Sequence, residues 1–222
     1  MADDHRKEES VQYTQVLKSK ADLHIARKLW HFLGVMMITI IYWTSPRVVS
    51  MQLITFFSFL FIIIDLLRHQ LPIMNRFFTK YLRFVMRDYE KNGMAGISYL
   101  MLGCFLVMYY FPKNVVTLSL LFLAIADPFA SYIGILYGKD KLIGNKSLQG
   151  TIGAFVACTL VSIFFFYWQN LMMDQLIIVC ILAGIIGALA ELLPVWHLDD
   201  NLTLPVVSST LLYGLLYVYG GL

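Results

Sequence analysis

The sequence predicts an all-α protein: a polytopic transmembrane helix bundle of about seven spans with one interfacial amphipathic helix. Three observations lead there. Of 222 residues, 59% are hydrophobic and only 14% charged, with a mean hydropathy of +0.70, far from the composition of soluble globular domains. The apolar residues gather into windows of roughly 17 to 25, the length that crosses a hydrocarbon core as a helix. Finally, fifteen of the 17 lysines and arginines fall on alternate connections, as the retention of positive charge on one side of a membrane requires.

Taken in order, residues 1–26 are polar and mixed in charge. No small-residue cleavage pattern follows the first apolar run, so this stretch reads as a cytosolic N-terminal segment before a retained first helix. The spans then fall at 29–45, 48–66, 94–112, 115–137, 150–168, 174–192 and 202–220. Between the second and third, Leu71, Met74, Phe77, Phe78, Tyr81, Leu82 and Val85 recur at helical spacing, and Arg76, Lys80, Arg83 and Arg87 form a cationic stripe. That pattern predicts an amphipathic helix over 71–90, lying on the inner leaflet, where it neutralises anionic head groups or draws phosphates inward. No repeat or Pro/Ser linker divides residues 27–222, which read as one transmembrane domain. Cys104, Cys158 and Cys180 fall inside spans without Cys-x-x-Cys spacing and read as apolar filler.

The cation pattern places the N-terminus in the cytosol and the C-terminus outside, with Arg47 and Lys113 alone on the outer side. The net charge of +3 is therefore a topology signal and implies no nucleic-acid partner. The chain reads as a multi-pass protein of a bacterial inner membrane or, alternatively, of the endoplasmic reticulum.

That topology brings most polar residues to one face. Arg27, Lys28 and His31 begin the first span, and Asp65 closes the second. Glu90 precedes the third, Asp127 interrupts the fourth, and Glu191, Asp199, Asp200 and Asn201 lie between the sixth and seventh. A carboxylate at membrane depth is costly and marks function more often than structure. Asp127 is followed by Pro128, whose missing N–H frees the Ala124 carbonyl, so the fourth span reads either as continuous, with Asp127 about 16 Å from its end, or as re-entrant. The turn Gly144-Asn145-Lys146-Ser147-Leu148-Gln149-Gly150 is small, polar and cationic, suited to holding phosphate oxygens, with Lys139 close before it. Its spacing is not that of a Walker motif.

Clustered carboxylates and cations suit a Mg²⁺-bound nucleotide, because hard carboxylate oxygens bind Mg²⁺ while Lys and Arg neutralise phosphates. Adjacent Asp199 and Asp200, with Glu191 nearby, read as a metal site or as a solvated loop. Asp65 with Arg68 at i+3 reads as an interfacial ion pair or a reactive carboxylate. Arg27 and Lys28 alone are ordinary membrane anchors, and Lys146 alone is a snorkelling lysine.

The ordered set Arg27-Lys28-x-x-His31, Asp127-x-x-Ala130-x-x-x-Gly134, Gly138-Lys139, Lys146-Ser147-x-x-Gly150 and Asp200-Asn201-Leu202 followed by Pro205 resembles the CTP-dependent lipid kinases. That family includes fungal-type diacylglycerol kinase, dolichol kinase and phytol kinase, the polyprenol kinases. A more distant likeness is to phosphatidate cytidylyltransferases. The resemblance implies transfer of the γ-phosphoryl of CTP, with a divalent cation, to a membrane lipid alcohol. It carries nucleotide binding onto Arg27, Lys28, Asp127, Gly134 and Lys146. Members commonly carry Glu where this chain has Gln149, which puts a metal-ligand role there in doubt.

On this reading CTP·Mg²⁺ docks against Lys139, Lys146 and the backbone of Gly144, Asn145, Ser147 and Gly150, with Arg27 and Lys28 closing on the phosphates. Asp127, Asp199, Asp200 and Glu191 hold Mg²⁺, and the proton acceptor is Asp127 or else Asp65. The rival readings are CDP-diacylglycerol synthesis from phosphatidate and, in another class, a secondary transporter.

Overall fold

The computed structural model describes residues 27–81, 86, 90, 93–144, 146–193, 195 and 198–222. The segment 1–26, most of the second half of the expected interfacial helix (82–85 and 87–89) and Asn145 lie outside the described residues.

Apolar runs become helices where the sequence places them. α1 covers 27–44, α2 Arg47–Gln70, α3 Pro72–Tyr81, α4 Gly96–Tyr110, α5 Lys113–Tyr137, α6 Leu148–Trp168, α7 Leu176–Leu192 and α8 Asp200–Tyr219. Among the described residues, α2, α5, α6, α8 and the stretch Met173–Leu192 are long and apolar enough to cross a membrane, and α4 is a shorter apolar helix. The fold is thus an all-α membrane helix bundle.

The expected interfacial helix is realised in its first half as α3. Pro72 opens it at a position that needs no N–H. It buries none of its residues, leaving Ile73 and Phe77 exposed beside Arg76 and Lys80.

α5 is the centre of the bundle. Val115, Val116, Leu118, Leu120, Phe122, Leu123 and Ala124 show no exposed surface, as befits a helix apolar on every side. α6 packs between α5 and α7, α8 touches α4, α5 and α7, and α2 rests on α4. α1 joins through Trp43, edge-on to Phe165 at 5.5 Å, and through buried Val35 and Tyr42. Without a hydrophobic drive between helices in lipid, small residues and interhelical hydrogen bonds govern association. Ser119 and Ser208 accordingly share a 2.8 Å bond between α5 and α8. At the α6–α7 crossing, a β-carbon on Gly184 would collide with Thr159 Oγ1, and one on Gly187 with Cys158 Sγ. The three cysteines are free and buried, as filler should be. The outer faces present Phe56, Phe59, Phe164 and Ile177.

Two local features are decided by the structure. α5 runs unbroken through Pro128, the continuous one of the two alternatives. The small buried residues Ala124, Ala126 and Ala130 pack this turn into the bundle, where a proline is tolerated because neighbours support the freed backbone. The expected simple turn after α5 is instead a short antiparallel hairpin, β1 Lys141–Ile143 with β2 Lys146–Ser147, reversed at Gly144, whose φ of +57° suits glycine.

Candidate active site

Helices alternate in direction, so the starts of α1, α4, α6 and α8 meet the ends of α2, α5 and α7 at one end of the bundle. The polar residues converge there. Lys146, on β2, reaches across to α7 and α8. Its Nζ donates to the Glu191 carbonyl oxygen and stands 3.5 Å from Glu191 Oε1 and 3.2 Å from Asp200 Oδ2. One ammonium thus balances two carboxylates that would otherwise repel in a poorly solvated setting. Asp127 lies within electrostatic reach of both and of Lys28.

On the other side of Asp127 stands α1. The buried His31 Nε2 has no hydrogen-bond partner among the described residues and lies 4.0 Å from Asp127 Oδ2. Arg27 and Lys28, one turn earlier, line the same cavity of about 400 Å³. Its lining combines the ionisable Arg27, Lys28, His31, Asp65, Arg68, Glu90, Asp127 and Asp200 with the apolar Phe61, Ile64, Phe78, Met86, Ile97 and Leu100. A cavity lined by both ionisable and apolar side chains fits a reactant with a polar and an apolar part.

A second network shapes the wall of this cavity. Arg68, 2% exposed, donates from Nε and Nη2 to Asp65 Oδ1 at 3.1 and 2.7 Å, from Nη1 to the Glu90 carbonyl at 2.9 Å, and from Nη2 to the Gly93 carbonyl at 2.9 Å. Asp65 Oδ2 accepts from the Ala95 N–H at 2.8 Å. Asn201 Nδ2 donates to the Gly96 carbonyl at 3.0 Å. The chain entering α4 is therefore tied to both α2 and α8. The expected Asp65–Arg68 ion pair is present, but buried and committed at both oxygens.

The remaining sequence candidates divide. Asp199 and Asp200 separate: Asp199 caps α8, its Oδ1 accepting from the Asn201 N–H at 2.9 Å, while Asp200 turns to Lys146. Ser147 caps α6, accepting from the Gly150 N–H at 3.2 Å. Gly134 and Gly150 face each other where α5 meets α6; a β-carbon on Gly150 would lie 2.9 Å from the Ala130 carbonyl. Gly144 is exposed in the hairpin turn and Lys139 is exposed beyond α5. Gln149 Oε1 accepts from the Lys139 N–H at 3.1 Å, and its Nε2 donates to Asp140 Oδ2 at 2.9 Å, an arrangement a glutamate would disrupt.

Sequence reasoning passed over Arg68 as an anchor for the α4 entry and His31 as the neighbour of Asp127. The signal for Arg68 was a full positive charge inside the last turns of an apolar span. Among the described residues, no three His, Cys, Asp or Glu side chains form a closed metal cage.

Fold and site define a helical membrane-bundle protein whose ionisable side chains gather at one end around an apolar-walled cavity. The chain belongs to the Cytidylyltransferase family, whose sequence pattern it matches over residues 7–194. It is 37% identical over 161 residues to CTP-dependent diacylglycerol kinase 1 of Schizosaccharomyces pombe, covering 67% of this chain and 73% of the relative. It is 30% identical to CTP-dependent diacylglycerol kinase 1 of Saccharomyces cerevisiae, covering 83% and 71%. Against dolichol kinase of the same yeast the identity is 28%, and the chain spans 38% of that relative's length. No solved structure matches.

Proposed function

We propose that this protein transfers the γ-phosphoryl group of CTP to the hydroxyl of a membrane lipid alcohol, releasing CDP. The single observation that carries the reading is the junction at Asp127. There a cluster of carboxylates and cations opens into an apolar-walled cavity within a membrane bundle. The names of the relatives support CTP as donor and a lipid as acceptor.

Phosphoryl transfer asks for positioning and charge stabilisation more than for covalent chemistry. Lys146, Lys28 and Arg27 draw the triphosphate toward Asp127 and Asp200, and Lys146 exchanges its carboxylate partners for phosphate oxygens. The donor set fits a divalent cation: Mg²⁺ is commonly held by one or two carboxylates together with substrate phosphates rather than by a full protein cage. Asp127 and Asp200 would hold it, with Glu191 beside them, and it would supply neutralisation of the triphosphate charge. Engagement of both Asp65 oxygens supports a role in the frame of the site rather than in the chemistry. Asp127 is the carboxylate that orients the acceptor hydroxyl. Positive charge on the connections at this end supports a site on the cytosolic face, where nucleotides are available.

The test is incubation of purified protein with γ-labelled CTP or ATP and a panel of lipid alcohols. Labelled phospholipid formed from CTP, with CDP released, is expected. Release of pyrophosphate with cytidylyl transfer to phosphatidate would support the activity named in the family description instead, and absence of any labelled lipid would overturn the proposal.

A further inference from the structure

Glycine inside a helix costs about 0.5–1 kcal/mol relative to alanine, and most glycines in these spans have a visible reason. Gly103, Gly134, Gly138, Gly150, Gly184 and Gly187 each meet a neighbour within 3.2 Å of where a β-carbon would stand. Gly34 has none. It lies in the interior of α1 with an ordinary helical backbone, nothing among the described residues stands within 4 Å of its missing β-carbon, and it lines the cavity. Gly214 of α8 is equally unobstructed but sits on the exposed outer surface. Neither backbone conformation nor close packing explains glycine at 34. Open space for a ligand does.

The place of that space is telling. Gly34 is one turn along α1 from His31, on the same face, and His31 is 4.0 Å from Asp127. The bare patch therefore widens the cavity one helical turn beyond His31. An unbranched alcohol needs a slot only one chain wide. Width beside the hydroxyl is needed when the neighbouring carbon carries a second chain. The cavity volume of about 400 Å³ is at the small end for a ligand site. It holds the head of such a lipid, with the tails passing outward between helices.

We propose that Gly34 is a specificity-determining position: its missing side chain admits a two-chain glyceride, a diacylglycerol-type acceptor, to the reacting end of the cavity. This rests on the lipid kinase reading above and names the acceptor shape. A leucine there would fill about 100 Å³ at close-packed density, a sizeable share of the cavity. It would also favour the helix, so loss of function would not reflect unfolding.

The experiment compares full-length wild type, Gly34→Leu and the outward control Gly214→Leu in lipid nanodiscs. Three quantities are read: kcat/KM for a short-chain diacylglycerol, kcat/KM for a single-chain prenol, and CTP affinity. In parallel, a diazirine-bearing diacylglycerol is photocrosslinked to each protein and the labelled peptides are identified. For Gly34→Leu the expected result is a fall of about tenfold or more for diacylglycerol with a smaller fall for the prenol. CTP affinity stays unchanged, and crosslinking to α1 and α2 peptides is lost; Gly214→Leu matches wild type. Diacylglycerol kcat/KM within about twofold of wild type in Gly34→Leu, or a parallel loss for both alcohols, would overturn the proposal. If the wild type crosslinks the lipid on α1 and α2 yet phosphorylates no alcohol, the kinase reading fails while the groove stands. Crosslinking elsewhere overturns the groove alone.

Discussion

Replacing Asp65 by asparagine leaves the shape of the side chain and removes its charge, which separates a structural carboxylate from a reactive one. In the wild type, Arg68 is 2% exposed, and its charge is matched by Asp65 Oδ1 through two bonds of 3.1 and 2.7 Å. Asp65→Asn turns those charge-assisted bonds into weaker ones and presents an amide NH₂ to the Ala95 N–H that now donates to Oδ2. Removing one partner of a buried ion pair costs about 3–5 kcal/mol. Arg68 keeps the Glu90 and Gly93 carbonyls, so we expect the lower end, about 3 kcal/mol. For a chain of this length that corresponds to a fall in Tm of roughly 6–12 °C, measured by thermal unfolding in one fixed detergent. Because the Ala95–Ser98 stretch lines the cavity, KM for the lipid should rise while CTP affinity holds. A variant with unchanged Tm and abolished kcat would refute this reasoning and make Asp65 the reacting carboxylate.

Three further substitutions address the site. Asp127→Asn should fold normally and lose about 10³-fold in kcat, within the range general-base and electrostatic residues supply; a steady-state assay retaining a tenth of wild-type activity would remove Asp127 from the chemistry. Lys146→Ala should weaken CTP binding by about tenfold or more, as expected for a lost charge-assisted contact. Equilibrium binding decides this, and an unchanged Kd counts against the phosphate contact. Gly150→Ala drives a β-carbon to 2.9 Å from the Ala130 carbonyl, so stability should fall by about 1–3 kcal/mol. Normal stability with lost CTP affinity would instead make Gly150 a nucleotide contact.

The apolar windows were legible because span length is a one-dimensional property: the observed helices begin and end within a few residues of them. The gathering of Asp127, Lys146, Glu191 and Asp200 at one end was also legible, since alternating helix direction decides which termini share a side. What could not be read were the pairings across long sequence separations. Lys146 meets Glu191 and Asp200 only because α6 is packed between α5 and α7. Arg68 serves two carbonyls some twenty residues away only because the chain entering α4 folds back over α2. Local rules misjudged two places. Pro128 leaves a continuous and a re-entrant span both open until the packing of its turn chooses the first, and the adjacent Asp199 and Asp200 read as a pair although one is a helix cap.

The central claim is that Asp127, Lys146 and Asp200 serve a single triphosphate at the mouth of the lipid cavity. A structure of the protein in nanodiscs with a non-hydrolysable CTP analogue and a divalent cation tests it most directly. The account predicts the β- and γ-phosphates beside Lys146, with the γ-phosphate facing the cavity between Asp127 and His31. A nucleotide bound away from these three residues, or a triphosphate whose γ-phosphate points out of the bundle, would contradict it.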